Sequence, residues 1–167
     1  MATTKDIKME YIPKYIIVHH SAANEPNPQF LAINDWHKAR RFPKSERGFN
    51  AGYHRVIEMD GSVVKARNDL ERDCDALGHN FDSLSVCLVG NLNDNDPTLE
   101  QTQSLTQILS EWCNKYGITA DKIYPHRHFS ATSCYGEKLT DNWAAVCYLN
   151  YEIERYSDQL AELTQEK

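Results

Sequence analysis

At 167 residues, 41% hydrophobic and 25% charged, the chain has the make-up of one ordinary globular domain, large enough to bury a core without disulfides. A formal net charge of −6 argues against nucleic acid or an anionic membrane surface as a partner, since both reward a basic face. No apolar run reaches the ~20 residues that span a bilayer, and the opening MATTKDIKMEY lacks the apolar stretch of a secretory signal, so the expectation is synthesis in the cytoplasm and no membrane insertion.

In chain order, the run YIIV at 15–18 is short, β-branched and apolar on both faces, which predicts a buried central strand. A helix is expected over about 30–40, with Phe30, Ile33 and Trp36/His37 on one face. Segments 53–58 and 62–67 flank Met59-Asp60-Gly61, where Asp-Gly predicts a hairpin with a type I′ turn. The run SLSVCLVG at 83–90 predicts a second central strand. A helix follows, with Asp96 as its cap, Pro97 in its first turn, an apolar stripe of Leu105, Ile108, Leu109, Trp112 and Tyr116, and Gly117 as its stop. Residues 122–129 are expected to be extended. A last helix is expected over roughly 139–157, with Leu139, Trp143, Val146, Leu149 and Ile153 as its inner face and a frayed polar end after it. The order predicts a single α/β domain spanning 1–167, core about 14–157, with a central mixed sheet flanked by helices.

Metal-ligand chemistry is offered at three places: His19-His20 at the end of the first strand, His126-Arg127-His128, and Cys134. Two imidazoles and a thiolate make a good zinc set and leave the fourth tetrahedral position open. Side chains alternate along a strand, so His19 and His20 cannot both face one metal; His126 and His128 could share a face, and spacing does not separate them. The five cysteines are odd in number and contain no Cys-x-x-Cys pair, which favours reduced thiols with one reserved for a metal over a disulfide framework.

The strings YIIVHHSA, WHKARRF, FNAGYHRVIEMDGSVVKAR, LGHN, SLSVCLVGN and HRHFSATSC stand in the order and spacing of the zinc-dependent N-acetylmuramoyl-L-alanine amidases. The chain resembles that family, which includes phage lysozymes of the amidase type and the peptidoglycan recognition proteins, over about residues 14–150. The resemblance implies an amidase/recognition-protein-like fold and a peptidoglycan hydrolase that cuts the amide between N-acetylmuramic acid and L-alanine. It implies one zinc ion on His19, His126 and Cys134, with Tyr53 as the catalytic tyrosine and Thr132 where many members carry a lysine. Tyr53 is then expected to orient water or donate to the developing oxyanion, and Thr132 to donate one hydrogen bond to it. A phage endolysin or bacterial lytic enzyme, acting as a monomer on the wall after release by another route, is the expected setting.

The chain departs from the family at three points. Asp75-Ala76 stands for the common His-Ala or His-Thr, His128 for an aspartate, and Tyr135 for the proline of a Cys-Pro-Gly turn. The expectations are, in turn, an altered grip on the stem peptide, a rearranged metal site, and an altered loop. Cys87 stands where the wall-recycling cytosolic amidases place a glutamate. The competing readings are a recognition module that binds muropeptide without cutting it, and a Cys-His hydrolase with Cys134 as nucleophile. His20, His37, His54, Trp36, Trp112 and Trp143 are assigned to packing or local hydrogen bonding.

Overall fold

The computed structural model describes residues 11–24 and 28–165; the first ten residues, whose reading as an opening without a signal was made from sequence, lie outside these. Strand β1 (Tyr15–His20) is the predicted buried strand and pairs in parallel with both β4 (Ser83–Leu88) and β5 (Ile123–Pro125). Strand β2 (Arg55–Ile57) lies parallel to β4, and β3 (Val63–Lys65) lies antiparallel to β2. The sheet order is β3-β2-β4-β1-β5, a mixed sheet as expected.

The pleat divides the core in two. On one face Ile16, Val18, Leu84, Val86 and Leu88 pack against Leu105, Leu109 and Trp112 of helix α2 (Leu99–Tyr116), and helix α3 (Trp143–Gln165) covers the same side. On the other face Val56, Ala66, Cys87 and Val89 meet Phe30 of helix α1 (Phe30–Ala39), with Ile33 and Tyr53 against them. The row Val56, Cys87, His19 runs across β2, β4 and β1 on this second face. The parallel strands β1 and β5 both end where a site can form, at their carboxyl ends.

Four local expectations need correction. Helix α2 is capped by Thr98, not Asp96: the Gln101 N–H donates to Thr98 Oγ1 at 3.0 Å and the Thr98 N–H donates to Gln101 Oε1 at 3.1 Å. The Thr-x-x-Gln box satisfies two orphan donors at once, which a lone aspartate further out cannot do. The hairpin is not a two-residue type I′ turn. Glu58 N–H reaches Ser62 O at 2.9 Å around a three-residue connection, and only Gly61, at φ 82°, occupies the left-handed region there.

Residues 122–129 do not stay extended. The strand stops at Pro125 and His126–His128 turns into a single 3-10 turn, so the strand rule that let His126 and His128 share a face does not apply. Helix α3 begins at Trp143 and runs to Gln165, because nothing after 157 breaks it. Its inner residues are Ala144, Tyr148 and Glu152, while Val146, Leu149 and Ile153 of the expected inner stripe are exposed. Among the described residues, no helix is long and apolar enough to cross a membrane.

Candidate metal centre and active site

Three elements bring the ligands together. β1 delivers His19 at its carboxyl end, the turn after β5 delivers His126, and the loop before α3 delivers Cys134. One donor atom of each lies within 4.8 Å of the others. His19 Nδ1 is 3.7 Å from the Cys134 sulfur, and the rings of His19 and His126 are 4.5 Å apart between centroids. A tetrahedral zinc set has donor atoms roughly 3.3–3.8 Å apart, so a contraction of about 1 Å closes this one around the ion.

The loop holding Cys134 is clamped by a residue that sequence reading passed over. The Arg127 N–H donates to Cys134 O at 2.7 Å, while its guanidinium donates to Gly136 O and Leu139 O, each at 2.5 Å, and pairs with Asp141 at 2.6 Å. Gly136 is required there: its φ is 122°, and an added Cβ would stand 2.3 Å from Leu92 O. Tyr135, the departure from a proline turn, is buried and donates to Thr140 O at 2.8 Å, so the altered turn keeps the ligand in place.

Electrostatics favour a cation at this point. Burial opposes ionisation of Cys134, but the charge of His19 and hydrogen bonds from His126, His19 and the His20 N–H bring the thiol down to about 6. Burial likewise opposes protonation of His19, yet Cys134 and Asp75 outweigh it and raise the imidazole to about 10. Protein groups alone therefore favour the thiolate a metal needs, and a site that draws a proton so strongly presents the same negative potential to a metal ion. The donor set fits zinc.

Other histidines take structural roles, as expected. His20 faces the opposite core and accepts from Leu92 N–H at 3.0 Å; burial and then His19 lower it to about 4. His37 accepts from Gly52 N–H at 3.0 Å and stacks on Phe42. His54 accepts from Ser85 N–H at 3.0 Å. His128, thought able to rearrange the site, is exposed and stacks on Tyr124 at 4.3 Å, outside the ligand group. Asp75, whose departure from the family was read as an altered grip on the stem peptide, sits behind the site with its carboxylate 2.9 Å from His19 Nε2.

Tyr53 stands with its ring 5.0 Å from that of His19. Burial, then Cys87 and Cys134, push its phenol well above the ordinary value, which makes it a neutral donor rather than a base. Tyr53 also lines a cleft of about 370 Å³ walled by Ser21, Gln29, Ile33, Trp36 and His37. Trp36, assigned to packing, is 52% exposed on this wall with the Arg40 guanidinium 3.6 Å over its ring. The cleft wall is set by α1, whose first N–H groups at Gln29 and Phe30 donate to the buried Glu58 carboxylate at 3.0 and 2.8 Å. Thr132 is exposed, and its hydroxyl accepts from Cys134 N–H at 3.3 Å, leaving its proton free to donate.

The sequence model of the N-acetylmuramoyl-L-alanine amidase family matches residues 9–137. Over 108 residues the chain is 36% identical to an endolysin of Enterobacteria phage T3, covering 60% of this chain and 67% of that protein. Over 152 residues it is 26% identical to peptidoglycan-recognition protein SC2 of Drosophila melanogaster, covering 86% of this chain and 82% of that one. The structure of N-acetylmuramoyl-L-alanine amidase LysC from Clostridium intestinale superposes with a TM-score of 0.65 at 29% identity, covering 75% of this chain and 78% of that one. A candidate ligand cluster at the carboxyl ends of β1 and β5, beside the cleft that Tyr53 lines, is thus joined to a family match over most of the length: the chain belongs to the N-acetylmuramoyl-L-alanine amidase family and is a peptidoglycan hydrolase of that kind.

Proposed function

We propose that this amidase works with one zinc ion held by His19, His126 and Cys134, and that the single domain acts as a monomer on the bacterial cell wall. The observation that carries the reading is the convergence of these three donors, from three separated parts of the chain, on one point beside Tyr53. A zinc ion bound there supplies a Lewis acid and an acidified water. Tyr53 donates its hydroxyl hydrogen bond toward the oxygen that gains charge as the amide is attacked, and its neutrality suits that task. Thr132 adds a second, uncharged donor from the rim. The apolar wall of Ile33 and Trp36 binds the neutral parts of the substrate and keeps water from the cleft.

A second reading has one observation in its favour: the lowered thiol of Cys134 beside His19 is also what a cysteine nucleophile needs. The experiment that separates the two is a peptidoglycan digest with and without a chelator, scored for new L-alanine amino groups and free muramic acid carboxyls. Zinc hydrolysis stops on chelation and returns with added zinc. A chelator-resistant digest blocked by thiol alkylation would replace the metal reading, and binding of muropeptide without any cleavage would favour a recognition module.

A further inference from the structure

Behind His19 stand two carboxyls that none of the roles above uses. Asp75 and Asp73 lie in the loop that leads into β4, and both side chains are fully buried. Asp75 Oδ2 meets His19 Nε2 at 2.9 Å, on the side of the ring away from Cys134, while His19 Nδ1 faces the sulfur. Asp73 Oδ2 accepts from the Ser83 hydroxyl at 3.2 Å and lies 3.6 Å from His54 Nδ1. The Oδ1 atoms of both acids find no N–H or hydroxyl donor.

We propose that Asp75 is a positioning residue for the metal centre: its carboxylate takes the Nε2–H of His19 and so fixes the ring with Nδ1 toward Cys134 and His126. The inference rests on the zinc assignment above.

Such an arrangement makes poor sense as a device for stability. Two carboxyls taken out of water beside each other cost more than their contacts return unless they serve another end. As a support for a metal ligand it makes good sense. An anion accepting the far N–H of an imidazole fixes its tautomer and raises the basicity of the nitrogen that binds the ion. Asp75 stands where the family resemblance leads one to expect a histidine, so the support is a property of this chain's own residues.

The test uses the full chain and reads metal binding rather than turnover. Zinc affinity, measured by competition with a chromophoric chelator, should fall by roughly 10–100-fold in Asp75→Asn. Nitrogen-15 spectra of the unmutated zinc-loaded protein should show His19 metallated at Nδ1 with a protected, strongly hydrogen-bonded Nε2 proton. The last measurement decides the matter even where a variant fails to fold. Ligation through Nε2, or an Asp75→Asn protein that binds zinc like the parent, overturns the inference and leaves the zinc assignment standing. A parent protein that takes up no zinc overturns both.

Discussion

The backbone N–H of His20 points at the sulfur of Cys134 at 3.4 Å, across a sequence separation of 114 residues. The strand that supplies the proposed ligand His19 thus also stabilises a negative charge on Cys134. Ligand His19 and donor His20 are consecutive because the pleat turns one side chain to the site and the other to the opposite core, while the backbone between them stays at the site's edge.

Removing a ligand is expected to cost the metal and stability together. If the proposed zinc assignment holds, the parent binds one equivalent, and His126→Ala and Cys134→Ser should each lose it and lower the melting temperature, since metal binding contributes to folding free energy. Elemental analysis after gel filtration, beside a thermal melt, gives both numbers. Retention of a full equivalent by either variant would take that residue out of the ligand set.

Arg127 should prove nearly as important without touching the metal. Arg127→Met strips two carbonyls and Asp141 of their donor, so a stability loss of about 2–3 kcal/mol is expected, with weaker zinc retention as the Cys134 loop loosens. Urea unfolding of the metal-free protein isolates the first effect, and chelator competition measures the second. Equal zinc affinity in parent and variant would show that the loop holds its shape unaided.

Tyr53→Phe removes a hydroxyl and leaves the ring against His19 and His37. Zinc content and melting temperature should match the parent, while turnover falls by about 10²–10³, the range for one positioned donor or proton carrier. Thr132→Val should lose less, because the hydroxyl is uncharged and lies at the exposed rim. Rates come from release of L-alanine amino groups on purified peptidoglycan. Parent turnover in Tyr53→Phe would make Tyr53 a packing residue.

A pH effect on stability is expected far from the site. Burial alone would raise Asp69, but Arg55 at 2.5 Å, together with Lys115, holds its carboxyl at about 2. A folded value below the unfolded one means stability that is complete above about pH 4 and lost as pH falls toward 2, worth roughly 2 kcal/mol. Asp69→Asn should therefore be less stable than the parent at pH 7, with the gap closing between about pH 4 and 2. A gap that stays constant through that window would contradict the assignment.

All five cysteines are free in the structure, three of them buried. Alkylation of the denatured, unreduced protein should modify five thiols, read by mass. In the native protein Cys134 should react only after zinc is stripped, given its lowered thiol. Native bridging of Cys134 would be incompatible with its part in the metal set.

Much of this protein was legible in the order of its residues. Period and length mark β1, β4 and α2, because a buried strand needs an unbroken apolar run and a half-buried helix needs a stripe. The ligands His19, His126 and Cys134 are legible from residue type and family spacing, and alternation along β1 alone already excludes His20 as a partner of His19. What sequence could not reach were contacts between distant segments. His128 leaves the site because the chain turns after Pro125, where a strand rule had kept it as a rival to His126. Nothing in the residues around Asp75 tied it to His19, and only packing of its loop behind β1 brings the two together. The outer stripe of α3 was read as inner because a helix face is marked by its partner, and the partner, α2, meets the face carrying Ala144, Tyr148 and Glu152. Local pattern decides which elements form; which side chains share a point in space is decided by how those elements close on one another, since the contacts that fix it lie many tens of residues apart in the chain.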